Sequence, residues 1–404
     1  MIQCKNYTPE RQSDSKKSIS LPLTLIKQIN RSIVTPCIAG GYLYAELDKN
    51  SKTLSCLDEE SLKHIWSSEV SGLLVNQIPI MNDTMLVLDQ ATEDLLLLSK
   101  ERGILIRNFG ELDFSPSDWC VKNDKLFSKV YDDSSGSIIS NFGCFEGDEL
   151  KTVWEYKEFN LDWFAVSDSY ALLSDSCGVL VALNSHDGSE IWRISPMQTG
   201  LFSSEEEMRQ EPPGMINVTL SSHRVIGYPS IFENRIAVAP MFGNSLIGVD
   251  LATGKVIWTR RVLNSAVNTR EVYCNEVYTS GPKCIEAFDV TTGEQTLKLE
   301  IDSIDIEQTM LAHHVKPLKA ANGLLMFVGG MWAFTVSETH IFGVNGNQNL
   351  LYSIDKSSGK IDWIYQPDEG QVAADSKPYI ANGRVYFPCL YQMYIFEGAE
   401  GFLQ

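Results

Sequence analysis

The chain repeats one pattern of apolar and polar positions. In its clearest copy, an apolar run from Ser245 ends at Asp250, Gly254 follows four residues later, and Trp258 comes four residues after that. An Asp can bond the amides of its own turn, and Gly accepts the left-handed backbone that closes such a turn. The runs on both sides are rich in β-branched and aromatic residues, which favour strands. The pattern therefore predicts two strands joined by a tight turn.

Seven copies of this hairpin share one register. The residue before the lead position and the residue four before it are apolar in every copy. The lead, Gly and Trp positions are occupied, in chain order, by Asp58, Leu62 and Trp66; Ser99, Gly103 and Arg107; Glu146, Leu150 and Trp154; Asn184, Gly188 and Trp192; Asp250, Gly254 and Trp258; Asp289, Gly293 and Leu297; and Asp355, Gly359 and Trp363. Copies in a constant register indicate one structural unit repeated along the chain.

The length of the unit indicates the fold. A further strand after a polar turn precedes the hairpins, as in residues 41–45 and 234–239, and an inner strand before it brings each unit to four. The Trp positions are 38 to 47 residues apart, except for two intervals of 66 that hold one unit plus an insertion. About 40 to 45 residues is the length of a four-stranded propeller blade. Since such small sheets bury both faces only by radial stacking, the sequence predicts an all-β fold, a β-propeller.

The two ends of the chain predict how the ring closes. Residues 379–397 repeat the two middle strands of a blade, but no outer strand follows them before Gln404. Residues 21–29 resemble an outer strand without a preceding hairpin. We therefore expect the N-terminal strand to complete the last of eight four-stranded blades, or of seven if the faint copy at Glu146 is not a separate blade. Residues 1–19 are polar and predicted to be disordered, and 20–404 are predicted to form one domain.

The repeat resembles that of a known family. The segments 182–192 (Ala-Leu-Asn, then Gly, then Trp) and 248–258 (Gly-Val-Asp, then Thr-Gly, then Trp) are similar to the pyrroloquinoline-quinone-type (PQQ-like) propeller repeat. The resemblance covers roughly residues 21–398. It implies a propeller fold, in a family that includes quinone-dependent alcohol dehydrogenases and the eight-bladed outer-membrane assembly lipoprotein. Because one fold hosts many functions, it says little about what this chain does.

Composition narrows the choice of partner and compartment. The formal net charge is −19, which argues against nucleic acid or an anionic membrane and favours a neutral or basic partner. The alternative is that the acidity only aids solubility. No secretion signal or membrane-length apolar run is visible, and the nine Cys are scattered without a Cys-x-x-Cys pair. These features predict a cytoplasmic protein that is monomeric when unbound.

Three predicted insertions suggest a binding face. They span residues 196–222, 300–315 and 329–346, the last placed between the second and third strands of the seventh unit. Connections of this kind open on one face of a propeller, and long loops on a rigid scaffold commonly carry binding. The predicted partner-binding residues combine acidic side chains with apolar anchors: Glu205, Glu206, Glu207, Glu211, Asp302, Asp305, Glu307, Met331, Trp332, Phe334, Asp368 and Glu369. Such a surface suits a basic protein or peptide, unless the charges are merely solvated and Trp332 packs within its own blade.

Catalytic signatures are missing from the sequence. Quinone enzymes of the resembled family use a Ca²⁺ site, a catalytic Asp and usually a disulfide of adjacent cysteines, but this chain has no adjacent Cys pair. His313 and His314 are neighbours, which on a strand point to opposite sides, and no acidic partner is visible for His340. Gly-x-Ser-x-Gly, phosphate-loop and His-Glu-x-x-His motifs are also missing. We therefore predict no cofactor, no metal and no catalysis.

The resulting hypothesis is a non-enzymatic propeller that binds another protein through an acidic, loop-rich face. A sharper version is a neutralising or escort partner for a basic protein such as a bacterial toxin, in the manner of an immunity protein. Two alternatives remain open at this point. One is a quinone- or metal-dependent oxidoreductase, and the other is a carbohydrate-binding propeller that uses aromatic residues such as Trp332.

Overall fold

A computed structural model gives the architecture of the chain. It describes residues 19, 21, 23–30, 37–46, 53–71, 80–81, 83–89, 92, 94–110, 114–132, 139–147, 149–157, 161–175, 179–199, 229–241, 245–262, 270–280, 284–300, 334–345, 350–367, 377–389 and 392–398. All structural statements below refer to these residues.

Strand β1 (Leu23–Asn30) opens the chain, and the next sixteen strands form blades one to four, each in the order inner, second, third and outer. Blade one consists of β2 (Cys37–Ala39), β3 (Tyr42–Glu46), β4 (Thr53–Asp58) and β5 (His64–Ser71); blade two of β6 (Ile80–Met81), β7 (Thr84–Leu88), β8 (Leu95–Ser99) and β9 (Leu105–Asn108); blade three of β10 (Phe114–Lys122), β11 (Lys125–Asp132), β12 (Ile139–Glu146) and β13 (Lys151–Tyr156); and blade four of β14 (Leu161–Val166), β15 (Tyr170–Asp175), β16 (Leu180–Asn184) and β17 (Glu190–Ile194).

The second half of the ring follows the same order. Blade five consists of β18 (Ser230–Phe232), β19 (Ile236–Met241), β20 (Ser245–Asp250) and β21 (Val256–Arg261); blade six of β22 (Arg270–Tyr273), β23 (Glu276–Ser280), β24 (Cys284–Asp289) and β25 (Gln295–Glu300); blade seven of β26 (Phe334–Val336), β27 (His340–Asn345), β28 (Leu350–Asp355) and β29 (Ile361–Tyr365); and blade eight of β30 (Tyr379–Ala381), β31 (Arg384–Pro388) and β32 (Gln392–Gly398), completed by β1.

The eight four-stranded antiparallel sheets confirm the predicted eight-bladed propeller. The faint copy at Glu146 is blade three, so the seven-bladed alternative is wrong. The predicted closure is also confirmed, because β1 pairs with β32 in antiparallel register from Leu23 opposite Gly398 to Asn30 opposite Gln392. Ile19, assigned to the disordered tail in the sequence, is buried against blades seven and eight. The rest of that tail lies outside the described residues.

The core lies between neighbouring blades and is built mainly from the two middle strands of each. In β8, for example, the four residues Leu95–Leu98 are all buried. The cysteines Cys56, Cys120, Cys144, Cys284 and Cys389 are buried and free of disulfides. Burial raises the pKa of the Cys56, Cys120 and Cys144 thiols to about 12, so these groups behave as small apolar side chains.

The predicted turn chemistry is present at the hairpins. Oδ1 of Asp250 accepts bonds from the Thr253 amide at 2.8 Å and the Thr253 hydroxyl at 2.6 Å. The Gly254 amide then donates to the Asp250 carbonyl at 2.8 Å, with a φ of 71° at Gly254. The same cap recurs at Asp58, Asp289 and Asp355. The leading carboxylate therefore stabilises the turn, as the sequence predicts.

The repeat Trp and Gly act together across the boundary between two blades. Trp258 of blade five donates its indole N–H to the Val290 carbonyl of blade six at 2.8 Å. A Cβ on Gly293 would lie only 2.6 Å from the Trp258 ring, so only glycine fits beneath the indole. Trp66, Trp154 and Trp192 make the same contact with the blade that follows each of them. We call this paired Trp and Gly contact the blade latch.

The two leucines at Gly positions are explained by the same geometry. Leu62 and Leu150 have φ values of 54° and 48°, in the left-handed region that glycine favours. The preceding outer strands carry Lys27 and Arg107 in register with the Trp position, so no indole occupies the space of the leucine Cβ. At these two positions the preceding blade therefore leaves room for a leucine.

One predicted insertion is misplaced. Residues 329–346 were expected to form a loop between the second and third strands of blade seven, but they contain β26 and β27, the first and second strands. Because β26 spans three residues and a polar turn follows it, the hydrophobic pattern there is too short to indicate a strand. Strand β25 of blade six ends at Glu300, and β26 of blade seven begins at Phe334.

In the segment 196–222, Pro196–Thr199 form a 3-10 helix, and residues from 200 onward lie outside the described part of the chain. Among the described residues, no helix has the length and apolar character needed to cross a membrane.

Candidate functional site

Only one of the predicted partner-binding residues falls within the described part of the chain. Phe334 is the first residue of β26, is 2% exposed, and packs in the core with Tyr278 and Tyr352. It is therefore not an exposed anchor, because the inner strand of a blade is enclosed by its neighbours. The others lie outside the described residues: Glu205, Glu206, Glu207, Glu211, Asp302, Asp305, Glu307, Met331, Trp332, Asp368 and Glu369.

Three acidic segments of the sequence, 205–211, 302–307 and 368–369, have the same place in the order of the strands. Each segment follows an outer strand and precedes the inner strand of the next blade: β17 and β18, β25 and β26, and β29 and β30. Outer-to-inner connections leave a propeller on the side opposite the tight hairpin turns. We call that side the connection face, and the side with the turns capped by Asp58, Asp250 and Asp355 the hairpin face.

The outer strands present a ring of apolar side chains to the outside. The position before the repeat Trp position is exposed and aliphatic in blades one to five, where it is occupied by Ile65, Ile106, Val153, Ile191 and Ile257. In blade two, Ile104, Leu105 and Ile106 are consecutive and each is more than half exposed. Within the described structure β9 pairs only with β8, so this segment combines a free strand edge with apolar side chains, which is typical of a surface that another chain covers.

A buried ion pair lies near the axis of the ring. Lys377, which precedes β30, donates to Glu271 on β22, and both residues are buried. The Thr335 hydroxyl on β26 also donates to Glu271, at 3.4 Å. These contacts tie blades six, seven and eight together at their inner ends. Because a buried charge without its partner is costly, the pair has a structural role.

The hairpin face of blades six and seven holds a cleft of about 360 Å³. Lys356 lines it, with Nζ 5.1 Å from the centre of the Tyr278 ring and 5.4 Å from that of Tyr273. Burial lowers the pKa of Lys356, and Glu276, 3.9 Å from Nζ, acts in the opposite direction. The aromatic rings thus hold the ammonium group in place.

Beside this cleft, the structure reveals a pair that the sequence does not show. Nε2 of His340 lies 2.8 Å from Oδ2 of Asp362. The two residues are 22 positions apart and meet only because β27 and β29 flank the same strand of blade seven. Motifs that are defined by a fixed spacing in the sequence do not indicate such a pair.

One known protein family has a model that matches part of this chain. Residues 175–303 match the family model PQQ_2, described as outer membrane protein assembly factor BamB. No curated protein sequence gives a match. Together with the eight-bladed fold, the match over residues 175–303 confirms the predicted resemblance to PQQ-like repeat propellers.

Solved structures agree on the fold. The crystal structure of BamB from Moraxella catarrhalis has 13% sequence identity and a TM-score of 0.61, covering 95% of this chain and 100% of that one. Sqt1 from Saccharomyces cerevisiae has 8% identity and a TM-score of 0.60, covering 94% and 99%. The quinohemoprotein alcohol dehydrogenase from Comamonas testosteroni has 10% identity and a TM-score of 0.58, covering 93% and 76%. At these identities the likeness concerns the fold alone.

Proposed function

We propose that this protein is a non-catalytic propeller that binds a basic partner protein through the connection face. The observation that carries the proposal is the topology around the acidic segments. Segments 205–211, 302–307 and 368–369 each lie between an outer strand and the next inner strand. Connections of that class leave the ring on one side, so three acidic segments are anchored around a single face.

The charge and the scaffold support the same proposal. A formal net charge of −19 attracts a basic partner at long range and raises its association rate, an effect that salt screens. The blade latches and the paired chain ends hold the loop anchors at fixed positions. A pre-organised surface binds with a smaller loss of conformational entropy.

The finer role that we propose is to neutralise or escort a basic protein, of which a bacterial toxin is one kind. The family description, an outer membrane protein assembly factor, refers to a role in handling other proteins and supports protein binding in general. The acidity of this chain is what favours a basic partner in particular.

The test compares two triple charge reversals with the same change in net charge. Partners are captured from the native cell on the full-length protein, identified by mass spectrometry, and their affinity is measured at several salt concentrations. We expect a basic partner whose binding weakens with salt. E205K/E206K/E207K on the connection-face segment should reduce affinity about tenfold or more. The matched control E60K/E101K/E294K changes exposed residues of the hairpin-face turns and should bind nearly normally.

Equal losses in the two variants would assign the effect to net charge rather than to the connection face, and an acidic partner or salt-independent binding would contradict the proposal.

The quinone alternative is tested separately. Addition of the quinone with Ca²⁺ quenches the intrinsic Trp fluorescence if the protein is a quinone enzyme. We expect the fluorescence to stay unchanged.

A further inference from the structure

Three side chains of blade seven form a cluster that can bind a metal ion. His340 is the first residue of β27, Asp355 is the last residue of β28, and Asp362 lies on β29. Their ligand atoms all lie within 4.8 Å of one another. Neighbouring strands of one blade thus bring one imidazole and two carboxylates to the same point on the hairpin face.

Each of the three side chains also makes a hydrogen bond with a nearby residue. Nδ1 of His340 lies 2.8 Å from the Thr339 hydroxyl. The Ser353 hydroxyl donates to Oδ1 of Asp362 at 2.5 Å.

For the third side chain, the Ser357 hydroxyl and the Ser358 amide donate to Oδ1 of Asp355, at 2.6 and 2.7 Å. Outer hydrogen bonds of this kind are typical of metal ligands, because they fix the tautomer of the His and the direction of each carboxylate.

Comparison among the blades shows that two of the three proposed ligands are residue types that blades one to six do not carry at the same positions. The position of Asp362, which precedes the Trp position, is aliphatic in blades one to five and Thr296 in blade six. The position of His340, which pairs with the lead residue, is not His in blades one to six: Tyr42, Thr84, Lys125, Tyr170, Ile236 and Glu276. Among blades one to seven, only blade seven has an imidazole at one position and a carboxylate at the other, and the two side chains contact each other.

We propose that His340, Asp355 and Asp362 bind one divalent transition-metal ion, with Zn²⁺ as the preferred ion. An imidazole with two carboxylates suits Zn²⁺, whereas Ca²⁺ prefers oxygen ligands alone. Zn–ligand bonds of about 2.0 to 2.2 Å require neighbouring ligand atoms to lie roughly 3.4 Å apart, so a small side-chain closure completes the site. The site is independent of the proposed partner surface, which lies on the opposite face.

Metal binding requires a defined change at His340. In the present arrangement Nε2 and Asp362 share a hydrogen bond. The ion takes the Nε2 lone pair, and the ring proton then resides on Nδ1, where the Thr339 hydroxyl accepts it. Asp355 and Thr339 also line the 360 Å³ cleft, so the remaining coordination positions face a space that water or a small ligand can enter. Glu276 and Glu338 in the cleft add negative charge, and Lys356 adds one positive charge.

The experiment measures Zn²⁺ binding to the full-length protein after chelator treatment, by titration calorimetry and by the shift in unfolding temperature. We expect one ion bound at this site, with D362I and H340Q weakening binding at least about tenfold. D362I introduces the side chain that other blades carry at this position, so its fold should be retained. The control D187N removes an exposed carboxylate from the hairpin turn of blade four, away from the cluster, and should leave binding unchanged.

A cysteine control separates this site from adventitious thiolate binding. Cys274 is exposed, so C274S is measured in parallel and should retain the ion. Zinc binding that is lost in C274S and kept in D362I would overturn the proposal. Equal binding by the wild type, D362I and H340Q, or no binding by the wild type, would overturn it as well.

Discussion

At the scale of single residues, two glycines with positive φ are required for different reasons. Gly103 has a φ of 65°, and a Cβ there would lie 2.3 Å from the Trp66 ring. Gly110 has a φ of 73°, but a Cβ there would meet nothing within 4 Å. The first position combines backbone strain with a clash, whereas the second carries strain alone.

Replacement of each glycine by alanine should therefore have unequal effects. We expect G110A to reduce the free energy of unfolding by about 1–2 kcal/mol, the cost of a left-handed non-glycine residue. G103A should cost about 1–3 kcal/mol more, since the Trp66 ring must shift. Denaturant unfolding of the two variants measures the difference. Equal losses would mean that the indole does not depend on this glycine.

The leading carboxylates should make stability depend on acid pH. Hydrogen bonds from Thr253, its hydroxyl first, lower the pKa of Asp250 below its ordinary value. A carboxyl whose pKa is lower in the folded state contributes stability above its unfolded pKa of about 3.9, and this contribution is lost as the pH falls through the folded pKa.

In D250N that contribution is removed, so the free energy of unfolding should fall less steeply below pH about 4 than in the wild type. Blade four has Asn184 at the same position, which indicates that the turn accepts an amide. Urea unfolding at a series of pH values compares the two slopes. Identical slopes would show that Asp250 does not couple folding to protonation.

At the scale of structural elements, the blade latch joins two copies of the repeat rather than two residues of one copy. The Trp of one blade rests on the Gly of the next, as with Trp154 and Gly188. Within a single copy the two residues need not occur together. Blade three has Leu150 at its Gly position and Trp154 at its Trp position. Leu150 fits because the preceding blade two has Arg107, and not Trp, at its Trp position.

Features within one copy of the repeat could be predicted from the sequence, whereas contacts between copies could not. Hairpin turns and strand register are local and follow from the spacing of Asp250, Gly254 and Trp258, so the blade count could be predicted. The weak copies could not be explained, since the cause of Leu150 lies in the neighbouring blade. The His340–Asp362 pair was missed for the same reason, because contacts between strands of a sheet carry no signature in linear spacing.

Installing a latch between blades two and three tests the coupling. R107W alone should be strongly destabilising, because the new indole meets the side chain of Leu150. In an L150G background the same change should cost less, with a coupling free energy of about 1–3 kcal/mol between the two positions. A double-mutant cycle in denaturant unfolding measures it. Additive effects would contradict the latch geometry.

At the scale of the whole molecule, the ring is closed by a seam that differs from the latched boundaries. Lys27 on β1 donates to the carbonyl of Leu62, and Arg384 on β31 donates to the Glu59 carbonyl at 2.5 Å. The Glu59 carbonyl occupies the position that accepts the indole N–H at the latched boundaries. Two cations therefore replace the Trp and Gly latch where blade eight meets blade one.

Closure by β1 should make the stability of the propeller depend on a short N-terminal segment. Deletion of residues 1–30 removes β1 and exposes the edge of β32, including the buried contacts of Leu23 and Ile29. We expect this variant to unfold at a markedly lower temperature, with earlier proteolysis of blades eight and one. The matched deletion of residues 1–18 keeps both β1 and the buried Ile19, and should unfold like the full chain. If the two deletions unfold alike, the ring does not depend on the strand pair that joins the two ends of the chain.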